Sequence, residues 1–99
     1  MVSREARSGF AREWLIMFYI YVLLSKINND LYIGYSEDIK RRFAQHNSGE
    51  VKATKANKPW KLVYYEAYDN KYDATKRERQ LKMHRAKQDL KIQITKSLL

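Results

Sequence analysis

The chain alternates between short apolar runs and polar breaks, and the spacing within each run predicts its element. Phe18 to Ser25 is rich in β-branched and aromatic residues, and Leu31 to Tyr35 resumes that character after the polar stretch Lys26-Ile27-Asn28-Asn29-Asp30, the pattern of a β-hairpin. Ser36 is then placed to cap a helix with Glu37 and Asp38 in its first turn and apolar Ile39 and Phe43 four apart; Asn47-Ser48-Gly49 should stop it. Lys61 to Tyr68 reads as a third strand, with Leu62, Tyr64, Glu66 and Tyr68 on one face and Val63, Tyr65 and Ala67 on the other. Asp73 to His84 predicts a second helix, aligning Ala74, Glu78 and Leu81, and Leu90, Ile94 and Leu98 mark a last amphipathic helix.

The predicted order is β-β-α-β-α-α. A small three-stranded antiparallel sheet flanked by helices, an α/β (α+β) layer structure, follows from it. The 99 residues leave room for one domain. A boundary falls near Met17: residues 1–16 are mixed, polar and weakly helical, an N-terminal extension, and residues 17–99 form the organised domain. The eleven-residue apolar run Trp14 to Leu24, preceded by Arg4, Arg7 and Arg12, superficially resembles a secretory signal, yet no small-residue cleavage site follows. It is also far short of the roughly 20 apolar residues of a membrane-spanning helix. The run is expected to be a buried strand of a cytoplasmic protein with no membrane partner.

Charge changes the picture from fold to partner. The net charge is +9, and it is localised: seven Lys/Arg face three acids between Ser36 and Lys61, and nine face three from Lys71 to Leu99. Clustered positive charge of this kind suits a phosphate backbone, although anionic lipid competes for the same surface. With 44% hydrophobic residues the chain can fold despite 31% charged ones. Because there is no cysteine and only two histidines, thiolate sites and His-rich zinc clusters are excluded. Any metal has to sit on carboxylates, water and substrate phosphate, which favours magnesium or manganese.

The candidate chemistry lies in an ordered set of residues. The triplets Tyr19-Ile20-Tyr21 and Tyr32-Ile33-Gly34 fall on the two strands of the predicted hairpin. Arg42 follows Gly34 by eight residues and His46 follows Arg42 by four, so the two share one helical stripe. Glu78 stands amid Lys76, Arg77, Arg79 and Lys82, the only acid between Asp73 and Asp89. A binding module has little use for a lone carboxylate there, because it repels phosphate unless a cation intervenes. Trp60 and Tyr72 read as core packing in preference to base stacking.

Taken in order, the tyrosine triplet, Tyr-Ile-Gly, Ser-x-Asp-Ile-x-x-Arg, the histidine and Arg-Glu-x-x-Leu-Lys resemble the GIY-YIG nuclease superfamily, over essentially Met17 to His84. His46-Asn47-Ser48-Gly49 and Pro59-Trp60-Lys61-Leu62-Val63-Tyr64-Tyr65-Glu66 resemble its small stand-alone bacterial members. One departure is Tyr19, where the family name has glycine.

The resemblance implies a metal-dependent endonuclease that hydrolyses phosphodiester bonds, in DNA in preference to RNA, on nicked, branched or damaged substrates of the kind met in repair. It implies that Glu78 binds a single divalent ion, Mg2+ or Mn2+, that Tyr32 activates water with that ion, and that Arg42 stabilises the scissile phosphate. Tyr21 and His46 complete the implied catalytic set. Gly34, Arg41, Lys52, Lys55, Lys58 and Arg77 are the candidates for nucleic-acid contact, the lysines through charge on the backbone. Larger relatives carry appended DNA-binding domains, so a larger protein partner is the candidate source of specificity. The competing reading is a DNA- or RNA-binding module with the same fold and weak turnover.

Overall fold

The computed structural model describes residues 17–99. The extension expected over residues 1–16, including the first three residues of the apolar run, lies outside the described residues. The rest of the run is β1 (Phe18–Ser25). It is the middle strand of a three-stranded sheet of order β2-β1-β3, antiparallel to β2 (Leu31–Ser36) on one side and to β3 (Trp60–Tyr68) on the other. A middle strand covered on both faces has no solvent side, which is why Ile20 to Leu24 are buried without alternation. At its end Ser25 Oγ accepts hydrogen bonds from the amides of Ile27 and Asn28, and Asn29 takes the left-handed conformation (φ 63°) that asparagine tolerates, closing the hairpin.

One helix, α1 (Ile39–Ser48), covers one face of the sheet. Its N-cap is Asp38, not the expected Ser36: the Asp38 carboxylate accepts from the Arg41 amide at 3.1 Å, while Ser36 Oγ accepts from the Asp38 amide and shapes the turn before the helix. Glu37 and Asp38 therefore precede the first turn. Gly49, at φ 85°, ends the helix as expected. Ile39 and Phe43 pack on Tyr21, Leu23 and Trp60. Asn47 fastens the helix to the sheet through the backbone N–H and C=O of Trp60.

The opposite face is covered by α2 (Lys71–Leu81) and α3 (His84–Gln93), with a short 3-10 turn at Thr95–Leu98. Ala74, Leu81, Leu90 and Ile94 are buried there against Ile20, Val22 and Ile33. The second helix starts earlier than expected, capped by Asn70, and stops at Leu81; His84 opens the next helix instead of closing this one. No helix among the described residues is long and apolar enough to cross a membrane.

The expected face assignment of β3 is corrected at two positions: Leu62 joins the α1 layer, and Val63 packs with Tyr64 toward the α2 layer. The β1–β3 register jumps between Val22↔Tyr64 and Leu23↔Leu62, so Val63 is an extra residue. Ahead of it Trp60 and Leu62 join the α1 layer; after it Tyr64, Glu66 and Tyr68 face the α2 layer. Leu62 thus lies across the sheet from Tyr64. On the α2 side Glu66 accepts from the hydroxyls of Tyr64 and Tyr68 and from two guanidinium nitrogens of Arg77, at 2.9 and 3.1 Å. Burial alone would raise the Glu66 carboxyl; these donors outweigh it and hold it below its ordinary value.

Candidate active site

The antiparallel pairing sets three cross-strand rows on the α1 face: Tyr32–Leu23–Leu62, Gly34–Tyr21–Tyr65 and Ser36–Tyr19–Ala67. The hairpin thereby brings Tyr21 and Tyr32 together, with ring centroids 6.4 Å apart. Their environments differ. Tyr21 is 1% exposed and its hydroxyl lies 2.7 Å from His46 Nε2. Tyr32 is half-buried, its ring 4.9 Å from His46 and 6.3 Å from Trp60.

Gly34 has a steric cause. A Cβ there would sit 2.5 Å from Tyr21 Cζ and its hydroxyl oxygen, so the missing side chain is the space through which the Tyr21 ring passes. Because the ring is pinned at its hydroxyl, it cannot yield cheaply. Gly34→Ala is expected to destabilise the fold by roughly 1–3 kcal/mol, read as a lower denaturant midpoint at unchanged slope.

His46 is fully buried, and its second nitrogen meets Thr54 Oγ1 at 2.7 Å. Burial, reinforced by the Arg42 charge, depresses the imidazole from 6.5 to about 4; burial likewise pushes the Tyr21 phenol up to about 12, with Arg42 pulling the other way. At neutral pH the ring is uncharged and the phenol protonated. The buried chain runs from the Tyr21 hydroxyl through the two ring nitrogens of His46 to Thr54 Oγ1, which also reaches the Val51 carbonyl as a donor. Thr54 carried no signal in the sequence; only the closure of its loop onto α1 reveals it.

Arg42 is half-buried, with its guanidinium held by Gln45 Oε1 at 3.1 Å beside the Tyr21 phenol. Arg41 is exposed on the next position, and both line an open groove of about 410 Å³ with Tyr35, Ser36 and Glu37 at the end of β2. Glu78 arrives from the other layer. It packs on the α2 side, yet its carboxylate still acts on the phenols of Tyr21 and Tyr35, raising both, as the weakest of the causes named for each. Tyr21, Tyr32 and His46 thus pack together on the α1 face with Arg42 beside them, and Glu78 stands on α2 in the opposite layer.

Glu78 makes an ion pair with Lys82 at 3.2 Å, one helical turn on, with 21% of the carboxylate side chain exposed. Exposed pairs of this spacing contribute little, so the carboxylate is not committed by it. Among the described residues no three His, Cys, Asp or Glu side chains cluster. One carboxylate fits a hard divalent ion that keeps its waters and takes oxygens from a phosphate.

Arg77 turns the Nε–Nη2 edge of its guanidinium to Glu66. One expectation changes. Tyr72 is 80% exposed and is not core, whereas Trp60 is buried with its indole N–H on the Thr54 carbonyl. Lys52, Lys55 and Lys58 are exposed on the segment after α1.

Residues 17–91 match the GIY-YIG catalytic domain. The chain belongs to this family of nuclease domains. Within it the chain is similar to the UPF0213 proteins. One from Staphylococcus saprophyticus is 41% identical over 75 residues, 75% of this chain and 90% of the relative. Another, from Clostridium perfringens, is 36% identical over 83 residues, 83% of this chain and 88% of the relative. The solution NMR structure of a UPF0213 protein from Bacillus halodurans is 34% identical, with a TM-score of 0.49 over 75% of this chain and 81% of that one.

Proposed function

We propose that the protein is a metal-dependent endonuclease that hydrolyses phosphodiester bonds in DNA, with nicked, branched or damaged DNA as its substrates and the cytoplasm as its place of action. One observation carries the reading: the hairpin brings Tyr21 and Tyr32 together, ring centroids 6.4 Å apart, next to an open groove lined by Arg41 and Arg42. Phenols and a guanidinium at an open basic edge suit the positioning and charge stabilisation that in-line attack on a phosphodiester requires.

In this mechanism Arg42 receives the scissile phosphate, its planar fork neutralising charge as it accumulates on the non-bridging oxygens. Tyr32 orients the attacking water and takes its proton while passing its own hydroxyl proton to solvent, as the new P–O bond forms and the bond to the leaving oxygen breaks, that oxygen taking a proton from solvent. Tyr21 and His46 hold the floor of the site and position Arg42. Arg41 and the exposed Lys52, Lys55 and Lys58 attract the backbone on either side. Glu78 would hold Mg2+ or Mn2+, which when bound supplies Lewis-acid polarisation of the phosphate.

The second reading, a DNA- or RNA-binding module, is favoured by the Glu78–Lys82 pair, which gives the carboxylate a partner in its own helix in place of a metal. Incubating the protein with linear, nicked and branched DNA and with RNA, in Mg2+ or Mn2+, separates the two. Wild type should cut at least one DNA and Glu78→Ala none. Binding without cutting by wild type, or cutting by Glu78→Ala at the wild-type rate, sinks the nuclease.

A further inference from the structure

The α1 layer does not cover its whole face of the sheet. Ile39 and Phe43 reach Tyr21, Leu23 and Trp60, and there the cover ends. Beyond it Tyr65 is 55% exposed, Ala67 is exposed, and the half-buried Tyr19 ring stands edge-on to Tyr65 at 6.0 Å and 63°. Tyr65 is the cross-strand partner of Tyr21, and Tyr19 is the partner of Ser36, which lines the groove with Arg41 and Arg42. An exposed aromatic face is therefore one strand spacing, roughly 4.8 Å, from the centre of the site.

We infer that Tyr65, buttressed by Tyr19, is a stacking platform for an unpaired base of the nucleic-acid substrate, next to the phosphate held at Arg42; the inference rests on the nuclease reading above. Three features choose this occupant. The edge-on contact fixes the orientation of the Tyr65 ring while leaving it accessible, the geometry that base stacking uses. The flanking cations suit a polyanion, and an apolar partner would find too little surface in one ring and one methyl group. Stacking on every base type through its π-face makes such a platform tolerant of sequence. A base inside a duplex is already stacked on both sides and cannot lie on Tyr65, so the platform selects substrates with unpaired bases near the cut: single strands, flaps and gaps.

Binding alone tests this, without turnover. A fluorescein-labelled single-stranded DNA of mixed sequence and its duplex are titrated by anisotropy in EDTA with wild type, Tyr65→Ala, Tyr65→Phe and Tyr72→Ala. Tyr65→Ala should weaken single-strand binding roughly 5- to 150-fold and leave duplex binding unchanged. Tyr65→Phe, which keeps the ring, should retain the wild-type affinity, as should Tyr72→Ala, which removes a still more exposed tyrosine from the other layer. Equal single-strand affinity of Tyr65→Ala and wild type, an equal loss on duplex, or a matching loss in Tyr72→Ala overturns the platform while leaving the nuclease reading intact. If wild type binds neither DNA, both are overturned.

Discussion

Tyr32→Phe is expected to fold with wild-type stability and to cut DNA roughly 10²- to 10⁴-fold more slowly, the contribution of one positioned acid–base group. The reason is its setting. The Tyr32 ring packs between His46 and Trp60, contacts that phenylalanine reproduces, and its hydroxyl makes no hydrogen bond to the described residues, so removing it orphans nothing. Tyr21→Phe is the instructive contrast. The same one-atom change there strips a hydrogen-bond partner from a fully buried imidazole, which costs roughly 1–3 kcal/mol of stability as well as rate. Single-turnover cleavage and thermal denaturation on both variants check this. Wild-type cleavage by Tyr32→Phe would remove that residue from the mechanism.

The second large effect is on stability against acid. His46 is neutral when folded, with its proton affinity lowered to about 4 from the 6.5 of an exposed imidazole. Below about pH 6.5 the unfolded chain takes up a proton that the folded chain refuses until about pH 4. Stability is therefore fully present above that window and falls as pH drops through it, by on the order of 3 kcal/mol in total. Denaturant unfolding at a series of pH values should show this slope, and His46→Gln, which keeps a donor and an acceptor between Tyr21 and Thr54, should flatten it. An unchanged slope in the variant would assign the acid sensitivity to other groups.

Much of the fold was legible because its signals are local. The β-branched and aromatic hairpin strands, the Asn-Asn-Asp connection and Gly49 as helix stop depend on neighbours in the chain, and the structure bears out the three-stranded sheet and its order. What escaped depends on distant partners. The extra residue at Val63 exists only relative to β1, so Leu62 and Val63 were each assigned to the wrong face. The break at Lys82-Met83 has neither glycine nor proline to announce it. Arg77 looked like one more surface cation because Glu66, eleven residues away on β3, becomes its partner only when α2 packs. Of the candidate site, the ordered spacing of Tyr21, Tyr32, Arg42, His46 and Glu78 was visible. The division between buried Tyr21 and accessible Tyr32, and the part of Thr54, emerged with tertiary packing.

Because Glu78 rides on one layer and Arg42 on the other, the site proposed for cleavage has no address within either half of the molecule. Ala74 and Leu81, chemically inert and buried, hold α2 against the sheet and with it the carboxylate. A genetic screen for inactive variants should therefore return hits on both sides of the sheet, in methyl groups as readily as in charges.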